Sequence, residues 1–242
     1  MARVNKAQVS EESPTLDRVL STAAELFRTR GYAATTTREI AARLGIQKAS
    51  LYYHISSKED LLYELTISTL RANLKAIRAA IAEPGDAFSR LSKTVTAHLV
   101  GMHSEPDKNG TALTEMRALE GDRLVDVVNL RDEYEAMFRG VIEEGQRQGI
   151  IRNDLHARYL TLALLSMTNW TLVWYHPVGE LTVEELAQVM LTVFLDGALK
   201  NGRPHPKLPR NAATGRRINA SKAAARAAAG RKKTRKGAAR AK

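Results

Sequence analysis

A seven-residue stretch near the N-terminus carries the side chains that most directly suggest chemistry. Residues 48–54 contain an amine, a hydroxyl, two phenols and an imidazole, and only Ala49 and Leu51 among them are apolar. Such donors, acceptors and aromatic faces can contact the base edges and phosphate oxygens of DNA. The same cluster is also compatible with the half-buried face of an ordinary short helix. Its polar members are Lys48, Ser50, Tyr52, Tyr53 and His54.

A second candidate group contains both tryptophans of the chain, Trp170 and Trp174. At the helical spacing of i and i+4 the two indoles share one face, and the polar amide of Asn169 lies beside them. Such a face can line a ligand pocket. It can equally belong to the core or to a dimer interface, and the sequence leaves these alternatives open.

Residue patterns typical of enzymes are absent from the sequence. The chain has no cysteine, which excludes a disulfide framework and a thiolate zinc site. Its six histidines include no H-x-x-x-H pair, and His98 and His103 are five positions apart, a poor spacing for a shared metal ion. Neither a glycine-rich phosphate loop nor a G-x-S-x-G motif occurs. The sequence therefore predicts a protein that is not an enzyme and uses no metal or cofactor.

The elements that must position these residues are all predicted to be helices. Apolar residues recur at helical spacing and no segment alternates strictly, which predicts an all-α fold. Three short helices precede residue 58. The residues Thr36 to Glu39 form a capping-box pattern that opens the second helix, Gly45 ends it, and 48–54 forms the third. This succession of a helix, a glycine-containing turn and a second helix is typical of the helix-turn-helix motif. The motif places its second helix in the major groove of DNA.

A long helix over 58–82 and several more helices are predicted after this unit, and their apolar faces predict a bundle. The expected organisation is an N-terminal arm with the helix-turn-helix (1–57), a helical bundle (58–202) and a basic tail (203–242). The further predicted helices cover 88–103, 111–119, 124–148, 155–175 and 183–200, with helix ends at Asn109-Gly110 and Asn201-Gly202.

The net charge of +11 hides a division of the chain. Residues 200–242 contain fifteen Lys and Arg and no acidic residue, whereas the other 199 residues hold 22 basic and 26 acidic groups. Because the tail has almost no large apolar residues, we expect it to be disordered when free. Its charge also suggests an alternative function, that of a nucleoid-associated protein with non-specific architectural DNA binding. No leader-like or membrane-length apolar run is visible, so a cytoplasmic, nucleoid-associated location is expected, without a membrane.

Residues 23–62 resemble the DNA-binding domain of the TetR family of bacterial transcriptional regulators. The resemblance implies that 48–54 is the recognition helix, with Lys48 and Ser50 the best candidates for reading bases. It also implies that Thr37, Arg38 and Lys58 contact the DNA backbone. Ile55 stands where many members carry Phe, a change within the packing face. The matching segments are 23–27, 31–32, 35–45, 51–54 and 57–62.

The same resemblance implies a homodimer that binds a double-stranded palindromic operator, since two recognition helices roughly 34 Å apart match successive major grooves. The last two bundle helices would form the interface. Residues 169–187 further resemble the TetR-type regulators of fatty-acid and sterol breakdown, which release DNA on binding acyl-CoA thioesters. The effector is therefore expected to be a small apolar molecule, an acyl-CoA. Its expected lining, which could equally be simple core, is Met102, His103, Met116, Arg117, Tyr134, Met137, Phe138, Asn169, Trp170 and Trp174.

Overall fold

The computed structural model describes residues 15–179 and 181–196. Every regular element within these residues is a helix, which confirms the all-α prediction. None of the helices in these two ranges is long and apolar enough to cross a membrane. The helices are α1 (Leu16–Arg30), α2 (Thr37–Leu44), α3 (Lys48–His54), α4 (Lys58–Ala82), α5 (Ala87–Ser104), α6 (Pro106–Thr114), a 3-10 helix (Glu115–Ala118), α7 (Gly121–Arg147), α8 (Ala157–Asn169), α9 (Thr171–Trp174) and α10 (Val183–Asp196).

Three sequence predictions fall on residues that lie outside the described ranges. They are the N-terminal arm up to residue 14, the helix end at Asn201-Gly202 with the last turn before it, and the tail over 203–242.

The start and end of α2 follow the capping signals in the sequence. The Thr36 side chain accepts a hydrogen bond from the Glu39 amide at 3.2 Å, and the Thr36 amide donates to Glu39 Oε2 at 2.8 Å. This reciprocal pair is the predicted capping box. Gly45 ends the helix in the left-handed conformation, with φ of 73°, which costs glycine no steric penalty. The tight turn that follows leads directly into α3.

The helix-turn-helix unit does not have a core of its own. Phe27 of α1, Ile40 of α2 and Leu51 of α3 are buried together with apolar side chains from the first turns of α4. Leu119 and Val127 of the bundle belong to the same cluster. The predicted boundary near 58 therefore coincides with the start of α4 but not with a break in packing. Helices α6 and α7 therefore pack directly against the helices that position α3.

A second apolar cluster forms the interior of the bundle. Phe138 of α7 is fully buried and packs with Leu99 of α5, Leu164 of α8 and Leu186 of α10. Burying large apolar side chains is the main favourable term in folding. This cluster fixes the relative positions of α5, α7, α8 and α10.

The prediction that Asn109-Gly110 ends a helix is wrong. Both residues lie inside α6, which begins earlier than predicted, with Pro106 in its first turn. The Asn109 amide is buried and donates to the carbonyls of Gly101 and Glu105 at 2.9 and 3.1 Å. Gly110 is packed so closely that a Cβ atom there would lie 2.7 Å from Arg28 Nη1. Tertiary contacts therefore explain both residues.

The single helix predicted over 155–175 is also interrupted. The helix begins at Ala157. The His156 side chain caps this end by accepting a hydrogen bond from the Arg158 amide. At Trp170 it divides into α8 and the single turn of α9. The Thr171 hydroxyl is buried near this junction and donates to the Thr168 carbonyl at 2.6 Å. Such a local side-chain bond to the backbone competes with regular helix geometry.

Candidate DNA interface and ligand cavity

The third helix presents its polar side chains to solvent. Leu51 within α3 and Ile55 after it are buried and anchor the helix to the core. Opposite them Tyr53 is 86% exposed and Tyr52 is 43% exposed. Lys48 and Ser50 are exposed as well. The predicted recognition residues thus form an outward face with no acidic side chain in it, which suits contact with a polyanion.

Contacts between α2 and α3 fix part of this face. The hydroxyls of Thr37 and Tyr52 lie 3.3 Å apart, and the Lys48 ammonium lies 5.4 Å from the centre of the Tyr52 ring. His54 is half-buried and meets the Tyr53 ring edge-on, with 5.3 Å between centroids. These contacts orient the aromatic side chains before DNA is bound.

Two of the arginines around α2 form ion pairs with glutamates. Arg30 contacts Glu39 at 3.0 Å, and Arg43 contacts Glu25 at 2.7 Å. Arg38 is exposed at the start of α2, where the backbone amides and the helix dipole favour a phosphate group. Its position fits the expected contact with the DNA backbone.

Lys58 is engaged within the protein. Its ammonium donates to the carbonyls of Tyr32 and Thr35 at 2.8 and 2.9 Å and lies 3.4 Å from the carbonyl of Ala33. It also lies 4.3 Å from the centre of the Tyr32 ring. Because an ammonium has three donors, these bonds give Lys58 a positioning role for the loop between α1 and α2. A direct phosphate contact by Lys58 would require some of them to break.

A cavity of about 310 Å³ lies within the bundle. Five helices, α4 to α8, contribute to its wall, and the wall is rich in polar groups. The lining residues are Thr69, Leu70, Asn73, His98, Met102, Asn109, Ala112, Leu113, Arg131, Asp132, Tyr134, Glu135, Leu162, Leu165, Ser166 and Asn169.

A histidine and a tyrosine form a buried pair in this wall. His98 Nδ1 and the Tyr134 hydroxyl lie 2.7 Å apart, and the two rings pack with centroids 5.8 Å apart. Burial lowers the pKa of His98 to about 4, the nearby charge of His103 lowers it further, and Asn169 offsets only part of this shift. Burial also raises the pKa of Tyr134. Both side chains are therefore neutral at physiological pH.

Three of the ten predicted ligand residues line the cavity: Met102, Tyr134 and Asn169. The other seven lie elsewhere, two of them close by. His103 hydrogen-bonds to the Thr171 hydroxyl at 2.9 Å, and Met116 contacts Arg131 through its sulfur. Phe138 is buried core, Met137 packs against the same cluster, Arg117 is exposed, and Trp170 and Trp174 are 64% and 47% exposed.

Four polar residues of the wall are not among the predicted ligand residues. In the sequence, His98 is considered only as a poorly spaced metal ligand and Asn109 only as a helix end, and no pattern distinguishes Asn73 or Arg131. All four stand at positions where the helical periodicity of α4 to α7 turns inward. A polar residue at an inward position is the signal that could have found them.

Helix α6 lies between the cavity and the helix-turn-helix unit. Asn109 and Leu113 face the cavity. On the other side, the buried Lys108 ammonium contacts Asp17 of α1 at 2.6 Å, and the Thr111 hydroxyl donates to the Ala24 carbonyl at 3.3 Å. A ligand that displaced α6 would therefore also displace α1.

Family comparisons agree with this arrangement. Residues 19–65 match the family of bacterial regulatory proteins called tetR, and residues 84–198 match the tetracyclin repressor-like C-terminal domain. The HTH-type transcriptional repressor KstR2 of Rhodococcus jostii is 32% identical over 181 residues, covering 74% of this chain and 88% of that protein. The chain belongs to the TetR family of transcriptional regulators. It is thus a DNA-binding regulator and not an enzyme, as predicted.

Solved structures of TetR regulators share the fold. KstR2 of Mycobacterium tuberculosis, a ketosteroid transcriptional regulator, superposes with a TM-score of 0.71 at 27% identity, covering 77% of this chain and 95% of that one. AibR, solved in complex with isovaleryl coenzyme A and operator DNA, gives a TM-score of 0.67 at 25% identity and covers 74% of this chain and 97% of its own. Both agree with a helix-turn-helix followed by a helical bundle.

Proposed function

We propose that this TetR regulator is a dimeric repressor that binds a palindromic operator and releases it when an acyl-CoA occupies the α4–α8 cavity. The observation that carries the proposal is the position of α6, which forms part of the cavity wall and is bonded to α1. The repressor KstR2 and the complex of AibR with an acyl-CoA and operator DNA support the same assignment by similarity.

An exposed apolar face on the last helices supports the dimer. Leu162 of α8 and Val189 and Val193 of α10 are 38%, 43% and 47% exposed, and Tyr159 is 53% exposed. Large apolar side chains exposed on neighbouring helices typically mark a protein–protein interface. Sedimentation at micromolar concentration should show a dimer, and Val189→Glu combined with Val193→Glu should shift the protein toward the monomer. A wild-type monomer at this concentration would contradict the proposal.

Release of DNA follows from a population shift. A ligand that fits the cavity better in one conformer favours that conformer, and operator affinity then changes by the reciprocal coupling factor. Two elements connect the cavity to α3: α4, whose first turns pack in the helix-turn-helix core, and α6. A change of the α4 tilt would alter the separation of the recognition helices.

Titration of the protein–operator complex tests this function. The operator is first located by footprinting on genomic fragments, where a short palindrome protected on both strands is expected. Acyl-CoAs of several chain lengths and a sterol-derived thioester are then added and release is followed by fluorescence anisotropy. At least one thioester should weaken binding tenfold or more, which corresponds to about 1.4 kcal/mol of coupling. Unchanged affinity across the whole set would contradict acyl-CoA sensing.

The basic tail favours a second function beside the first. Fifteen positive charges over 200–242 would add sequence-independent affinity for DNA in the cytoplasmic nucleoid. Truncation after residue 202 should therefore flatten the dependence of binding on salt and leave operator choice intact. Uniform protection in footprinting by the full chain would instead support the architectural alternative, and loss of sequence preference on truncation would contradict the role given to the tail.

A further inference from the structure

Charged side chains join the first turn of α4 to the first turn of α7. Arg123 Nη2 lies 2.5 Å from Asp60 Oδ1, and Arg123 Nη1 lies 3.7 Å from Glu59 Oε2. The Glu120 amide, at the start of α7, donates a hydrogen bond to Glu59 Oε1 at 3.2 Å. We call these four residues the α4–α7 cluster. Through it the bundle contacts the segment that directly follows the recognition helix.

The position of Arg123 is explained by α4 and not by its own helix. Arg123 is the third residue of α7, where the positive end of the helix dipole disfavours a cation. The carboxylates of Glu59 and Asp60 lie in the first turn of α4, where the dipole favours them, and they offset the charge of the arginine. A partly exposed ion pair of this kind adds little to stability. The pair therefore contributes mainly by positioning the groups that it joins.

The second carboxylate oxygen of Asp60 connects the cluster to the recognition helix. Asp60 Oδ2 accepts a hydrogen bond from the Ser56 amide at 2.9 Å. Ser56 follows the end of α3 at His54 by two residues and precedes Ser57, whose hydroxyl caps α4 by accepting from the Asp60 amide at 2.9 Å. Because one carboxylate binds both the Ser56 amide and Arg123, the bundle holds the end of α3 through a single side chain.

We propose that Arg123 is a positioning residue for operator recognition, which holds α3 at its operator-reading angle through Asp60. Arg123 lies in the C-terminal domain, within the matched range 84–198, and is not part of the helix-turn-helix. The proposal concerns the unliganded protein and is independent of the effector. Direct readout needs donors and acceptors placed at base edges, whereas sequence-independent binding needs only positive charge near phosphates. Loss of the pair should therefore affect operator binding more than binding to unrelated DNA.

Binding of the unliganded protein to the operator and to unrelated DNA of equal length tests the proposal. Arg123→Met should weaken operator binding about three- to tenfold, as for residues that act on a site without touching it, and change binding to unrelated DNA less than about twofold. Arg139→Met is the matched control. Its side chain on the same helix is 33% exposed, as is that of Arg123, and it pairs with Glu135 of α7 at 3.1 Å. It should change neither affinity.

Asp60→Asn separates positioning from charge. The asparagine keeps an oxygen that can accept the bond from the Ser56 amide but loses the charge that holds Arg123. Removing a carboxylate beside the DNA-binding region strengthens the attraction to phosphates, whereas removing an arginine weakens it. Positioning instead predicts that both variants weaken operator binding. It also predicts that the double variant binds the operator no more weakly than Arg123→Met alone, because both changes remove one contact.

Two results would overturn the proposal. Opposite changes in the two variants, of similar size on operator and unrelated DNA, would show that the cluster acts only through its charge. Unchanged operator affinity in both variants would show that the pair does not position α3, and a lower melting temperature would then assign it to folding alone. Because no effector is present, neither result bears on acyl-CoA sensing.

Discussion

The helix-turn-helix and the bundle place their polar functional groups on opposite sides of an apolar core. In α3 the core is beneath the helix and Lys48, Ser50 and Tyr53 point outward. In the bundle the polar groups of His98 and Arg131 point inward, to a cavity that apolar packing surrounds. The first surface leaves its polar groups in contact with water, whereas the second buries His98 and pairs its Nδ1 with the Tyr134 hydroxyl.

This difference predicts two kinds of mutational effect. Exposed polar residues contribute little to folding, so their replacement should change DNA binding and leave stability unaltered. Inward polar residues cost desolvation free energy, so their replacement should change both ligand response and stability. Four variants test the contrast, in order of expected effect.

The largest effect is expected for Lys48→Ala combined with Ser50→Ala. Loss of both base-reading candidates should weaken operator binding by about 2–4 kcal/mol and leave the melting temperature unchanged, since both residues are exposed. Binding to the operator and to unrelated DNA is compared at one salt concentration. Lys75→Ala, an exposed lysine of α4, is the control. Equal weakening on both DNAs would show that these residues contact the backbone instead of bases.

Lys58→Met should have the next largest effect. It is an exception to the contrast, because a residue of the DNA-binding region should here affect stability. Lys58 belongs to the DNA-binding region by position, yet its ammonium is bonded to backbone carbonyls. The free energy of unfolding should fall by about 2 kcal/mol because these carbonyls lose a charged donor. Urea unfolding measures it, with Lys75→Met as control. A decrease of about 0.9 in the salt slope, with unchanged stability, would instead favour the phosphate contact.

The contrast also explains what the sequence could predict. The capping box at Thr36, the turn at Gly45 and the polar run 48–54 are local signals, so the helix-turn-helix was predicted with its bounds. The cavity depends on five helices meeting in space, and its polar residues occupy core positions of the helical period. Trp170 and Trp174 were predicted to line the ligand pocket because of their residue type and spacing, but both side chains are exposed.

His98→Gln should change how the free energy of unfolding depends on pH, because His98 is an inward polar residue. Because the folded pKa of His98, about 4, lies below the ordinary value of 6.5, the unfolded chain takes up a proton first as pH falls. The contribution of His98 to the free energy of unfolding is therefore fully present above pH 6.5 and is lost as the pH falls from 6.5 to 4. Between pH 6.5 and 5 the loss should be about 2 kcal/mol, and His98→Gln should remove it.

Denaturation of both proteins at several pH values gives the difference directly, since the carboxylates titrate alike in each. The exposed His176→Gln serves as control. Parallel stability curves for wild type and His98→Gln over this range would mean that the imidazole is solvated in the folded protein.

The smallest effect is expected at a residue that connects the two regions. Arg28 of α1 donates to the Leu172 carbonyl of α9 at 2.9 Å and lies 3.8 Å from Asp107 of α6. Leu172 follows closely on Asn169, which lines the cavity at the end of α8. Arg28 therefore provides a route from the cavity wall to α1 that does not pass through the bonds of Lys108 and Thr111 to α1.

Arg28→Met keeps the apolar stem against Gly110 and removes both the hydrogen bond to Leu172 and the ion pair with Asp107. If coupling is shared between the two routes, the ratio of operator affinities without and with effector should fall about two- to tenfold, within the range of 0.5–2 kcal/mol typical of such positions. Operator affinity of the unliganded protein should change by less than about twofold, because Arg28 lies away from α3. Arg18→Met, an exposed arginine of the same helix, should change neither quantity. An unaltered ratio in Arg28→Met would assign the coupling to α4 and α6 alone, because the two regions would then communicate only through their shared core.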